Sequence, residues 1–280
     1  MEIRINGKAA DITFDHEKTV GQVIAGLDSV LSDSGHRLSG LAIDGQNVEI
    51  PSMEDAFSRE IENVKVIDLY THSLAELFVL TFMELLGDIG KYENSHFEDK
   101  NKFHENWKES ACAKFVEEQM PDLFSLYVNA FCGGGMDIRV LRSVTEERLR
   151  EVKDPQQELA NMQFPIEETC TRLVDLPLDI QTGKDRRAAE TIQIFTGITE
   201  KIFRILRQLD IQGIMRNTQE GKAFELIEGF NLAVRELLQA YEKQDTVLMG
   251  DLAEYEIAPR LGELYNTITA NSRKAAAGAQ

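Results

Sequence analysis

The chain has 280 residues, 48 of them Asp or Glu and 30 Lys or Arg, for a formal charge of −18. So acidic a balance repels phosphate backbones and anionic bilayers, which sets nucleic acid and membrane surfaces aside as general partners. No run of about 18 apolar residues offers a membrane span, and Cys112, Cys132 and Cys170 are too far apart for a disulfide framework or a zinc ribbon. The expectation is a cytoplasmic chain without membrane insertion.

The start, "MEIRINGKAADITF", reads as strand, turn, strand. Ile3 and Ile5 alternate with Glu2 and Arg4, Asn6-Gly7 supplies a tight turn, and Ile12 and Phe14 continue the pattern. Thr19, with Gln22 three residues on, opens a helix whose apolar stripe is Val20, Val23, Ile24, Leu27, Val30 and Leu31. "LSGLAIDGQNVEI" gives two short strands around Asp44-Gly45, "SMEDAF" a short helix after Pro51, and "NVKVIDLYT" a strand apolar on both faces, hence central.

This order of elements, carried by "MEIRING", "TVGQVIAGL", "LAIDGQNVEI" and "VKVIDL", resembles the ubiquitin-like β-grasp fold over residues 1–72. Members of that fold that conjugate or carry sulfur act through a C-terminal Gly-Gly. Here the last strand runs into "THSLAELFVL" and the chain ends "KAAAGAQ", so the resemblance implies docking rather than conjugation.

From Ser73 onward the apolar period lengthens to about 3.6. "SLAELFVLTFMELLGDIGKY" reads as a helix, "ENSHFEDKNKFHENW" as a loop or frayed helix start, and Pro121 as the start of a new helix or a kink. The two prolines of "FPIEETCTRLVDLPLDIQTG" mark a connection, with a subdivision near 165–183. Three amphipathic helices follow, with core stripes that include Ile194, Phe224, Tyr241, Leu248 and Tyr255. The fold class is α+β: a β-grasp domain over 1–72, then an all-α antiparallel bundle over 73–270, with 271–280 a disordered tail. "DLAEYEIAPRLGEL" resembles segments of uncharacterised bacterial helical proteins.

Candidate sites are few. Cys132-Gly133-Gly134-Gly135, with Arg139 beyond, could form a loop site. It lacks the lysine of a phosphate loop and the preceding strand of a dinucleotide site, so the glycines read as a helix stop. A nucleophilic Cys132 would need a histidine or a helix start beside it, and the sequence places neither nearby. Lys184, Arg186 and Arg187 open a helix, where cations oppose the dipole. They would welcome an anionic partner or, more simply, neighbouring carboxylates. His96, His104, Glu98, Asp99 and Glu105 match no compact metal motif, the acidic pairs such as Glu146-Glu147 read as solvated faces, and Trp107 suits packing or a partner. No catalytic residue, metal ligand or cofactor is assigned.

The reading is a non-catalytic adaptor or scaffold, a β-grasp docking head on an acidic helical body whose partners are proteins, basic ones favoured. Two others remain open: a small-molecule or nucleotide-binding protein or enzyme with a pocket between bundle helices, and a cytoplasmic chaperone for a basic or aggregation-prone client.

Overall fold

The computed structural model describes residues 1–12, 16–49, 52–132, 135–214 and 222–278. They fall into two compact units, Met1–Cys132 and Gly133–Gln280. Phe14, Pro51, Gly133 and Gly134 lie outside the described residues.

Unit 1 begins with a five-stranded sheet: β1 (Glu2–Ile5), β2 (Lys8–Ala10), β3 (His36–Ile43), β4 (Gln46–Asn47) and β5 (Val66–Ser73), in the order β2-β1-β5-β3-β4. β5 is central, parallel to β1 and antiparallel to β3. Asn6 and Gly7 turn the first hairpin with positive φ angles of 49° and 77°. The Asn6 side chain donates to the Thr71 carbonyl and accepts from its N–H at 2.9 Å, which ties that turn to β5. Asp44 locks the second turn by accepting the N–H groups of Lys65 and Val66, both at 2.9 Å. Helix α1 (Val20–Asp33) starts at Thr19, which forms a reciprocal capping box with Gln22. It buries Val20, Val23, Ile24 and Leu27 against Ile3, Leu41, Ile43, Ile67 and Leu69 of the sheet, with Ala56 of α2 (Met53–Ser58) closing the core. Val30, expected on the buried stripe, is exposed.

Ser73 ends β5 and caps α3 (Leu74–Asn94), again reciprocally, with Glu76. Then come α4 (Phe97–Lys108), α5 (Ala111–Gln119) and α6 (Pro121–Phe131). The stretch expected as a loop or a frayed helix start is the helix α4, and its polarity obscured this because Trp107 supplies much of its packing. Trp107 stacks on Phe124 and Tyr127, with centroids 5.7 and 5.4 Å apart, and meets Phe131 edge-on. Pro121 starts α6 at its first turn, where a missing N–H costs nothing.

Among its described residues unit 2 holds helices and no strand: α7 (Ile138–Lys153), α8 (Pro155–Asn161), α9 (Gln163–Gln181), α10 (Asp185–Ile211), α11 (Lys222–Glu242), α12 (Thr246–Asp251) and α13 (Ala258–Gly278). The expected connection across 165–183 is instead one helix, α9, with Pro177 inside it. Pro177 is useful there because its flat, donor-free edge meets Gly250. A side chain at Gly250 would place its Cβ 3.0 Å from the Pro177 Cβ and 3.2 Å from its Cα. Gly250→Val should therefore force α9 and α12 apart and cost about 1–3 kcal/mol, and Pro177→Ala in the same background should return part of it, both read from chemical denaturation. Leu252–Ile257 form a π-helical turn between α12 and α13. Pro259 explains the widening, since its ring would collide with the carbonyl of Tyr255 in a regular helix. Beyond it α13 runs to Gly278, so residues 271–278, expected as a tail, are helical. Among the described residues no helix is long and apolar enough to cross a membrane.

Candidate functional site

In unit 2, α10 and α11 part to leave an apolar groove of about 370 Å³. Phe195, Leu237 and Met249 form its buried floor. Leu238 and Tyr241 stand on its rim, 56% and 61% exposed. Thr199 lines it, and its Oγ1 is buried without a hydrogen-bond partner among the described residues. Among the described residues Glu200 is the one charged residue in the lining. Val247 and Leu248, next in the chain to Met249, are also exposed, as is Ile194. Ile194, Tyr241 and Leu248 were expected in the core. Helical spacing identifies apolar stripes but not which of two stripes a bundle covers, and here one stripe stays open to solvent. Phe224 and Tyr255 depart from expectation in the same way. A larger cleft of about 870 Å³ runs between α9 and α13, past Cys170, Gly262 and Tyr265, but its walls also carry Glu167, Glu263, Asn266, Asn271 and Lys274.

The cationic trio at the start of α10 is spent internally. Asp179, buried at the end of α9, faces Lys184 at 3.3 Å and Arg187 at 2.9 Å, and Arg187 also reaches Asp175 at 3.1 Å. Arg186 lies along the surface against Glu190 at 2.9 Å. The conflict with the helix dipole is relieved by carboxylates of the same unit.

The loop residues belong to different units. Cys132 ends unit 1 as the cap of α6. Arg139 belongs to unit 2, where Asp137 caps α7 through the Arg139 N–H and holds its guanidinium at 2.6 Å. Gly135 has a positive φ of 91°, the conformation expected of a glycine stop. Contrary to expectation, Cys132 does have a histidine beside it. His104, 28 residues earlier on α4, places Nε2 2.9 Å from Sγ. Local spacing could not reveal this, because it is the packing of α4 against α6 that brings the two residues together. The pair falls short of a catalytic dyad. The other ring nitrogen, Nδ1, is buried with no hydrogen-bond partner among the described residues, and none of them orients the ring. Burial, and then Lys108, lower the His104 pKa against the pull of Glu105, which disfavours the imidazolium that a thiolate would need.

Two more groups of titratable residues reach into the interior. On α3 and α5, Cys112 sits beside Glu84 and Asp88, and its thiol is pushed up to about 12 by burial first and then by those carboxylates. In unit 2, Glu151 of α7 is 2% exposed and receives both Nε and Nη2 of Arg204, at 3.0 and 2.9 Å. Arg148 approaches it at 3.5 Å, and Lys201 links Glu147 and Glu158 nearby at 2.8 and 3.2 Å. Burial raises the Glu151 carboxyl to about 7, and Glu147 and Glu158 add to the effect, while Arg148 and Lys201 oppose it. Glu147, expected on a solvated face, is thus part of an ion network.

Comparisons with known proteins give one family match within each unit. Residues 1–73 match the family described as TP0873 N-terminal domain, and residues 166–267 match a domain of unknown function, DUF8042. The second match spans α9 to α13 and so contains the groove. Over 270 residues the chain is 18% identical to an uncharacterized protein of Treponema pallidum (strain Nichols), covering 96% of each chain. No solved structure matches.

Proposed function

We propose that the protein is a bacterial protein-binding adaptor whose docking surface is the α10–α11 groove. The observation that carries this reading is the open apolar stripe. Leu238, Tyr241 and Val247 stand exposed around a formed groove, in a chain charged enough to keep its apolar residues covered. The fitting occupant is an amphipathic helix with apolar anchors at helical spacing and basic flanks, which would meet Glu200 and the −18 charge of the chain. The N-terminal sheet supports a β-grasp head: the order β2-β1-β5-β3-β4, a parallel β1–β5 pair and a helix after the first hairpin are the features of that fold.

The test is affinity purification from cells that express the chain natively, comparing wild type with Leu238→Asp/Tyr241→Asp. Both positions are exposed, so stability should move by no more than about 0.5 kcal/mol per site. A stoichiometric partner recovered with wild type and lost with the variant is the expected result; a partner retained by both defeats the groove as its seat. A second reading, a small apolar ligand with one polar head, is favoured by the unpaired Thr199 Oγ1 in an otherwise apolar wall. It predicts thermal stabilisation by such a ligand that Thr199→Val removes.

A further inference from the structure

We infer that unit 1 carries a divalent-metal site built from Glu84 and Asp88 of α3 and Cys112 of α5, suited to a borderline-soft ion of the zinc class. One ligand atom from each of the three residues lies within 4.8 Å of the others. The site has depth: Asp88 is 6% and Cys112 5% exposed, whereas Glu84 is at the surface and leaves a route in from solvent.

Asp88 is the telling residue. It occupies the buried stripe of α3 together with Phe78, Thr81, Phe82, Leu85 and Ile89, and is the one carboxylate on it. A carboxylate there is costly unless a cation meets it. Lys91 does so at 2.6 Å, but from outside, with its side chain 67% exposed. Two carboxylates and one ammonium leave the cluster one negative charge in excess. A divalent ion that binds with release of the Cys112 thiol proton to solvent brings the total to zero. In that step the S–H bond is replaced by a sulfur–metal bond and nothing is oxidised or reduced.

The donor set selects the ion. Magnesium and calcium take oxygen ligands, and a thiolate is a poor substitute. Zinc accepts sulfur and carboxylate together in tetrahedral geometry, and three protein ligands leave a fourth position for water.

The experiment is titration of the full-length, chelator-treated protein with Co2+, which substitutes for zinc and reports sulfur ligation through a thiolate-to-metal charge-transfer band. The expected result is a band saturating at one equivalent and displaced by Zn2+. Cys112→Ser should abolish it, while Cys132→Ser and Cys170→Ser should leave it intact. Should Cys112→Ser fail to fold, Glu84→Gln changes only a surface residue and should weaken Co2+ by about tenfold or more with far-UV dichroism unchanged. No charge-transfer band, a band lost with Cys132 instead, or Co2+ affinity indifferent to Glu84→Gln would each overturn the assignment.

Discussion

Arg204→Leu should destabilise unit 2 by about 3–5 kcal/mol at about pH 8, because it removes the two-pronged partner that the buried Glu151 carboxylate has in the wild type. Lowering the pH should shrink the penalty. The folded-state pKa of Glu151 is about 7, above its ordinary 4.5, so between those values the folded chain binds a proton that the unfolded chain does not. The stabilisation this group gives is therefore full below about pH 4.5 and is lost as pH rises through 7. At about pH 5 the carboxyl of Arg204→Leu is already neutral, and the same substitution should cost clearly less. Glu151→Leu/Arg204→Leu should be nearer to wild type than either single change at about pH 8, since two apolar side chains need no partner. Urea unfolding at the two pH values, followed by far-UV circular dichroism, checks all three statements. Equal penalties at both would show that the carboxyl stays ionised throughout.

The second large effect is expected in unit 1. Tyr127 is fully buried, stacks on Trp107 at 15° between ring planes and meets Phe131 at 77°. Tyr127→Ala should cost about 3–5 kcal/mol, from lost apolar burial, the cavity left behind and two broken aromatic contacts. Because α4 packs through this cluster, the variant should also loosen α4 and with it the His104–Cys132 contact. Thiol-reactive probes should then modify Cys132 at a changed rate. A denaturation midpoint unchanged from wild type would mean that α4 and α6 are held by something other than these rings.

Much of the α+β arrangement is legible in local chemistry. Asn6-Gly7 and Asp44-Gly45 announce turns because few other residues tolerate positive φ, and Thr19 and Ser73 announce helices because each finds its capping partner three residues on. Such signals need no knowledge of the rest of the chain. What escapes is whatever tertiary packing decides. Pro177 reads as a break until Gly250 is seen against it. The polar face of α4 hides a helix whose reason to exist is Trp107. Tyr241 and Leu238 follow a helical period, but which stripe a bundle leaves open depends on the neighbours. The His104–Cys132 pair joins residues 28 apart, beyond any local pattern. Asp88 alone carried a readable sign, since it sets a carboxylate on a largely apolar stripe three residues after Leu85.

Trp107 gives the molecule an optical asymmetry. It is the sole indole in the chain, and it lies within Met1–Cys132. Intrinsic emission excited at the red edge of protein absorption therefore watches the first half alone, whereas dichroism at short wavelengths is weighted toward the helix-rich second half. Melting curves recorded by the two signals would coincide only if both halves give way together, so an unaltered chain, free of dyes or labels, can report whether it unfolds in one step or two.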